Sequence, residues 1–249
     1  MGKDTGLGAG LWVDGNDLSG DTQKVGKISK SFKTLEMTGI DKSAFERKTG
    51  QLDGAIEMTN FFNPSASQAH PVLSTLPRTD RIVSYIHRGS AIGTPIATMV
   101  AKQIDYAGNR ESSGMFTLDV KSNANAWWLD WGLTLTAGKR VDTTGTNGAG
   151  VDFQIYGAPA NFGAQFYLHV FAFTGTTCTI KIQDSADNSS FADLAGASFT
   201  AVTTAPGAQR LATGRAATTR RYLRAVTSGT FSSITFGVAA TINTTDMTI

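Results

Sequence analysis

The chain has 249 residues, which is long enough for one large domain or two smaller ones with proper hydrophobic cores. Charged residues make up 17% of it, below the roughly 25% usual for soluble domains, and the formal net charge of +2 argues against a strongly basic nucleic-acid-binding protein. No apolar run approaches the ~18 residues of a membrane-spanning helix, and Cys178, the single cysteine, excludes a disulfide within the chain.

Residues 1–10 are rich in glycine, and Gly6-Leu-Gly-Ala-Gly10 resembles a phosphate-binding loop in composition. Such a loop needs a strand before it and a helix after it, and the sequence shows neither pattern. The segment also lacks the apolar stretch of a secretory signal. We therefore predict an N-terminal arm at residues 1–10.

Four lysines then recur at every third position, at Lys24, Lys27, Lys30 and Lys33. On a regular strand this spacing alternates between the two faces, and the intervening Gly26 argues against a helix. The row is either solvated charge or a contact with a DNA backbone or an acidic neighbour, and the sequence leaves both interpretations open.

A long connection between two strand-like stretches is predicted at residues 39–50, bracketed by Gly39 and Gly50. It is longer than a tight hairpin requires, and it places an aromatic side chain among charges of both signs. A loop cannot bury such a ring by itself, so this pattern predicts docking on a neighbour. The candidate contact residues are Ile40, Asp41, Lys42, Phe45, Glu46 and Arg47.

Apolar residues recur mostly with period two, for example along Gly54–Phe62 and Met115–Lys121, which is typical of strands. One amphipathic helix interrupts this pattern at about residues 67–76, with apolar side chains at helical spacing. Ser65 or Ser67 could cap it, and Pro77 would stop it. Pro71 fits its first turn.

Charge density divides the chain near Gly150, because residues 1–150 hold 31 of the 42 charged side chains. The preceding Asp142–Gly150 has the composition of a linker or long loop. Residues 11–150 and 151–249 are therefore predicted as two domains. In the second, Phe166–Phe173 and Cys178–Asp184 predict a hairpin around Thr174–Thr177. Further strands are predicted at Phe199–Thr203, Gln209–Thr213, Arg221–Thr227 and Phe231–Thr241, a spacing typical of a β-sandwich.

No set of residues predicts catalysis, a cofactor or a metal. His70, His87 and His169 lie far apart in the sequence without a second ligand at metal-binding spacing, and His169 sits in an apolar strand. Cys178 has no base beside it, and Asp184–Asn188 reads as a turn. The chain is therefore expected not to be an enzyme.

Seven segments together resemble the major tail (tail tube) proteins of long-tailed bacteriophages and prophages, and the likeness extends over nearly the whole chain. They are Leu11-Trp-Val-Asp-Gly-Asn-Asp-Leu-Ser-Gly20, Leu35-Glu-Met-Thr-Gly-Ile-Asp-Lys-Ser-Ala-Phe-Glu-Arg47, Asp53-Gly-Ala-Ile-Glu-Met-Thr-Asn-Phe-Phe-Asn-Pro64, Ala69-His-Pro-Val-Leu-Ser-Thr-Leu-Pro77, Met99–Tyr106, Leu133–Arg140 and Gln183–Asp193.

The resemblance implies an all-β fold, with a tail-tube-like antiparallel sandwich or barrel, one flanking short helix and a second C-terminal β-sandwich lobe. That lobe would be a decoration or a second tube-like lobe. Subunits would close into rings of six copies, or of three if the second lobe is a duplicated tube domain, and the rings would stack into a tube. The loop at residues 39–50 would fold against neighbouring subunits, the N-terminal arm would bridge rings, and the lysine row would face the lumen or a neighbouring ring.

The implied partners are other copies of the chain, a tape-measure protein, and the tail terminator and baseplate or tip proteins. DNA would pass through the lumen without specific binding, and no membrane is involved. The protein would be made in the host bacterial cytoplasm and end in the virion tail. The alternative is a carbohydrate- or receptor-binding β-sandwich module of a virion or surface adhesion protein, which predicts exposed aromatic rings in the second domain.

Overall fold

The computed structural model describes residues 5–89 and 91–246 and shows an almost entirely β protein. Fourteen strands in those residues form one continuous antiparallel network, with one short helix beside it, so the all-β prediction is confirmed. The helix is α1 (Ala69–Leu73), and a single 3-10 turn occupies Gln154–Tyr156. The strands are β1 (Gly10–Val13), β2 (Asn16–Asp17), β3 (Thr22–Glu36), β4 (Arg47–Phe61), β5 (Arg81–Ile86), β6 (Pro95–Arg110), β7 (Phe116–Ala124), β8 (Asp130–Thr134), β9 (Arg140–Asp142), β10 (Val151–Asp152), β11 (Ala164–Ser185), β12 (Ala192–Ser198), β13 (Gly207–Ala212) and β14 (Tyr222–Ile242).

The first part of the chain folds as a two-layered sandwich. One layer is β3–β4–β7 with the outer part of β6, and the other is β2–β1–β5–β6–β8. β6 belongs to both layers and has a bulge between Gln103 and Asp105, the kind of irregularity that bends a strand. The core between the layers includes Leu11, Ile56, Met58, Val83, Ala97, Met99, Leu118 and Val120.

Helix α1 lies against this core and is held at both ends by distant side chains. At its N-terminus, Asp21 Oδ2 accepts the Ala69 N–H at 2.9 Å. At its C-terminus, Arg81 Nη2 donates to the Val72 carbonyl at 2.6 Å, and Gln103 Nε2 donates to the Leu73 carbonyl at 2.6 Å. These bonds satisfy backbone groups that a helix end leaves without partners.

The helix is shorter than the predicted residues 67–76. Pro77 lacks the N–H that would bond to the carbonyl of Leu73, so the helix ends at Leu73 and Gln103 takes that carbonyl instead. Neither Ser65 nor Ser67 caps the helix, because Gln68 occupies the N-cap without a side-chain bond. The predicted caps were wrong because capping comes from residues far away in the sequence.

The second part of the chain is built on one long strand pair, β11 with β14, aligned from Ala164↔Ile242 to Ser185↔Tyr222. A straight strand of this length would reach ~70 Å. The second hydrophobic core nevertheless takes Phe166 from one half of β11 and Ile182 from the other, so the pair must fold over on itself into two layers. β13 pairs with the first half of β11 and β12 with the second half.

The predicted hairpin around Thr174–Thr177 is wrong, because β11 continues through these residues. The bend there is made by register shifts and two glycines, Gly175 at φ +153° and Gly229 at φ +129°. A Cβ on Gly175 would lie 2.4 Å from Phe231 Cα. Glycine and threonine therefore allow a continuous strand to bend here. In the sequence alone, this combination of residues looks the same as a hairpin turn. The strands predicted at 221–227 and 231–241 are likewise one strand, and 199–203 contributes only an isolated bridge at Val202.

Along the chain, Leu129 is the last residue of the first hydrophobic core and Leu133 is the first residue of the second. The predicted linker, Asp142–Gly150, runs along β14, where Gly148 N donates to the Ala225 carbonyl at 2.9 Å. The division into domains at residue 150 stays a prediction. A third cluster, in which Trp12, Ile82, Ile86 and Ile96 contact Tyr167 and Ala239, joins the two parts.

Candidate assembly surface

The outer half of the β3–β4 hairpin projects from the first sandwich. β3 and β4 pair from Thr22↔Asn60 to Glu36↔Arg47, whereas β7 accompanies β4 only along Ala55–Phe61. We call residues 30–53 the hairpin arm. The connection at its tip is residues 37–46, since β4 already begins at Arg47, so the last residues of the predicted loop 39–50 are strand residues.

The hairpin arm exposes a set of large apolar side chains. Strand register places Phe32 opposite Leu52 on the same face as Ile28 and Ile56, so the core-facing side of the sheet continues onto the arm without a cover. Ile40 and Phe45 at the tip are 109% and 65% exposed. The sequence predicted that Ile40 and Phe45 contact a neighbour, but it missed Phe32, Leu35 and Met37. Phe32 and Leu35 are exposed because they lie on a part of β3 that no second layer covers.

The charged residues of the tip interact mainly with each other. Lys42 Nζ lies 3.7 Å from Glu46 Oε1 and 3.9 Å from Asp41 Oδ2. The Arg47 guanidinium stacks over the Phe45 ring with its carbon 4.7 Å from the ring centroid. Exposed pairs of this kind contribute little to stability.

The four lysines of β3 do not alternate regularly between faces as a plain strand would require. Gly26 has no partner on β4 and forms a bulge, so Lys24 and Lys27 fall on the same outer face. Lys30 points to the opposite face, with its Nζ 5.6 Å from the Trp128 ring centroid. Lys33 falls at another register shift, between Phe32 and Thr34.

The outer face of the first layer carries a row of charges that alternates in sign. Register aligns Lys27, Glu57, Lys121 and Asp105 across four neighbouring strands. Lys121 Nζ lies 3.4 Å and Lys27 Nζ 4.0 Å from Glu57 Oε1. Cross-strand pairs of opposite charge stabilise a sheet modestly. The same face bears four lysines and four carboxylates in all, namely Lys24, Lys27, Lys102, Lys121, Asp53, Glu57, Asp105 and Asp119.

His169 is buried between the two parts of the chain and serves packing. Its Nδ1 accepts the Gly15 N–H at 3.2 Å, which leaves the proton on Nε2 for Ser84 Oγ at 2.9 Å. Ser84 in turn bonds Thr98 at 2.9 Å. Burial lowers the pKa of His169 to about 3, so the ring stays neutral and has no exposed proton to transfer.

The other candidate reactive groups are also held in structural roles. Cys178 is buried, and burial raises the pKa of its thiol to about 11. Asp187 closes a turn by accepting the N–H groups of Ser189 and Ser190, and these bonds lower its pKa. Across residues 5–89 and 91–246, no three His, Cys, Asp or Glu side chains are grouped so that they could hold a metal ion. No helix in that portion is long and apolar enough to cross a membrane.

Aromatic rings of the second part are mostly used for packing. Phe166, Tyr167 and Phe236 are buried, and Phe171, Phe173 and Phe231 pack against the cores. The Arg224 guanidinium covers Phe191 at 4.1 Å from the ring centroid, and Arg221 covers Tyr222 at 5.0 Å. A sugar-binding face would leave such rings open for stacking, so these contacts do not favour the carbohydrate-binding alternative.

No family model matches the chain, and no curated protein matches it. Among solved structures, a chain from the virion of a native gene transfer agent particle is 10% identical, with a TM-score of 0.41 over 52% of this chain and 98% of that one. A chain from the tail of an empty gene transfer agent particle with C6 symmetry is 11% identical, with a TM-score of 0.41 and the same coverage. The Dit (gp 19.1) protein of SPP1, described as a hub adsorption apparatus protein, is 12% identical, with a TM-score of 0.32 over 94% of this chain and 99% of that one. TM-scores this low do not establish a shared fold.

Proposed function

We propose that this chain is a structural subunit of a bacteriophage tail tube, which polymerises through its hairpin arm into stacked rings around a channel. The observation that carries the proposal is the uncovered apolar face of the arm, ending in Ile40 and Phe45. Burying one such side chain contributes roughly 1.5–3 kcal/mol. Because a monomer leaves several such side chains in water, burying them against another copy would stabilise association.

In this proposal the arm contacts another copy, because its own body leaves the apolar face uncovered. β7 covers only Ala55–Phe61 of β4, so the eight strand residues 47–54 extend beyond the sandwich by ~25 Å. The tip lies at the end of this extension, where Ile40 and Phe45 are exposed. A contact between the end of one subunit and a different surface of the next is heterologous, and such contacts close into rings or continue as filaments.

The alternating charges on the outer face of the first layer suit a channel wall. Lysines that already contact carboxylates, as Lys27 and Lys121 contact Glu57, offer little attraction to DNA phosphates. DNA could then move along the face without being held. In this proposal six copies form a ring, or three if the second part is a repeated tube lobe, and the tape-measure, terminator and tip proteins are the partners at the ends of the tube.

The proposal is tested by removing the apolar tip while keeping the fold. A variant with Ile40→Ser and Phe45→Ser should remain a folded monomer but lose rings and tubes in negative-stain electron microscopy and mass photometry. This change is sharper than deleting Ile40–Thr49, because that deletion would also remove the start of β4.

The matched control is Ile155→Ser, which removes a highly exposed apolar side chain outside the arm. We expect this control to assemble like the parent protein. Normal tubes from the Ile40 and Phe45 variant would contradict the proposed role of the arm.

A further inference from the structure

The outer edge of β3 is open along most of its length. β3 pairs with β4 alone, and in the described part of the chain residues 23–36 form no backbone hydrogen bond outside that ladder and its closing loop. Such an edge is a template on which another strand can add. Because β3 has 15 residues, it is a long template.

This edge carries two kinds of feature that oppose strand addition. The first is charge, since Lys24, Lys27, Lys30 and Lys33 are all exposed along it. Only Lys27 has a carboxylate within 4.0 Å in the described chain, so most of this charge is not neutralised locally. The second is irregular register, with shifts between Thr22 and Lys24, Val25 and Lys27, and Phe32 and Thr34. Lysines and bulges are both known means of protecting sheet edges.

The three-residue spacing gives the row a further property. Register places Lys24 and Lys27 on the outer face and Lys30 on the opposite face, so two β3 edges that meet antiparallel about the centre of the row bring lysines of both copies to both faces of the seam. Like charges close together across a strand pair destabilise the pairing. The lysines point to both faces of the strand, so the only position that all of them have in common is the open edge of β3.

We propose that this lysine row is an edge guard, which prevents the β3 edges of two copies from pairing and leaves the hairpin arm as the contact through which copies associate. The edge guard would prevent association through the β3 edges, and it would do so whether or not the chain forms a tail tube. It also explains why one strand holds four of the chain's lysines at positions that do not all lie on one face.

The test is a variant with Lys24, Lys27, Lys30 and Lys33 all changed to Thr, a residue that favours strands. Its net charge becomes −2, by subtracting four from +2, so the magnitude of the overall charge is unchanged. We expect it to form β-paired oligomers at a concentration at least tenfold lower than the parent, measured by sedimentation velocity and infrared spectroscopy. High salt should promote the same association in the parent, because it screens the lysines.

Two controls isolate the edge. Changing Lys102, Lys121, Lys139 and Lys181 to Thr alters the net charge equally and should leave association at the parent's concentration. Adding Ile40→Ser and Phe45→Ser to the edge variant should leave its oligomers intact, because they form through β3. A version that retains Lys30 preserves its contact with Trp128 if the full variant fails to fold.

The proposal is overturned if the edge variant associates no more readily than the parent, or if the tip substitutions abolish its oligomers. It is also overturned if the parent binds duplex DNA with a steep salt dependence that the edge variant lacks, since the row would then be a phosphate contact. Loss of tubes in the tip variant alone bears on the proposed function and leaves the edge guard standing.

Discussion

His169 shows how a single side chain links the two parts of the molecule. Its Nδ1 accepts a hydrogen bond from the backbone N–H of Gly15, 154 residues earlier in the chain, and its Nε2 bonds Ser84 on β5. The sequence correctly indicated an ordinary strand histidine, because Leu168 and Val170 flank it. It could not indicate the partners, which become neighbours only when β11 packs across β1 and β5.

The neutral state of His169 predicts a loss of stability in acid. Its pKa in the folded protein is about 3, whereas an unfolded chain has a value of ~6.5. Below pH ~6.5 the unfolded state takes up a proton that the folded state refuses, so stability present above that pH is lost as the pH falls towards 3. The contribution amounts to something on the order of 4 kcal/mol by pH ~3.5.

The measurement is urea unfolding of the parent and a His169→Gln variant between pH 3.5 and 8. The variant should be less stable at pH 8 but should show a shallower decline below pH 6.5. Between pH 7 and 8 both proteins should show the same slope. Parallel curves over the whole range would mean that another group causes the acid sensitivity.

At the level of elements, the sequence predicted whether a segment is strand or helix better than it predicted where the segment begins and ends. Period-two alternation found the strands of the first part, because one face of each is buried and the other is solvated. The predicted ends were wrong where residues distant in the sequence determine them, as for helix α1, whose ends are bonded by Asp21 and Gln103. The bend in β11 was predicted as a hairpin because glycine in a bent strand and glycine in a turn give the same local signal.

The bend itself predicts a sensitive position. Gly175→Ala should destabilise the protein by at least ~2 kcal/mol, because φ +153° is strained for alanine and its Cβ would lie 2.4 Å from Phe231 Cα. Urea unfolding measures the difference. Gly207→Ala is the matched control, since β13 has no atom within 4 Å of the added Cβ and the change should cost under ~0.5 kcal/mol.

At the level of the whole molecule, the candidate surfaces divide between an apolar arm and a polar outer face. The sequence indicated the arm through Phe45 and its charged neighbours. It missed the charge row, because Lys27, Glu57, Lys121 and Asp105 lie on four separate strands and only the register brings them together. Bulges shift that register by one residue, and nothing in the local pattern fixes where a bulge occurs.

The charge row predicts a change in DNA binding when its carboxylates are removed. A variant with Glu57→Gln, Asp105→Asn and Asp119→Asn removes three of the four carboxylates of the outer face, including the one that Lys27 and Lys121 contact. We expect it to bind duplex DNA at least tenfold more tightly than the parent at ~50 mM salt, with an affinity that falls steeply as salt rises. Fluorescence anisotropy with a labelled duplex measures both.

The matched control changes the same number of carboxylates elsewhere, at Glu111, Asp152 and Asp193, to their amides. Both variants have the same net charge, so a difference between them reports the outer face. Equal DNA binding by the two would show that total charge matters and that the alternating row does not.

The cluster that joins the two parts has a consequence for how the chain folds. Trp12, Ile86 and Ile96 are covered by Tyr167 and Ala239, which are among the later residues to be synthesised. A growing chain therefore presents an unfinished apolar surface until β11 and β14 arrive, and contacts over such long separations form slowly. The apolar surface of the first sandwich is thus covered only after β14 has been made. A chain truncated before β11 would leave that surface exposed to water although its hairpin arm is already complete.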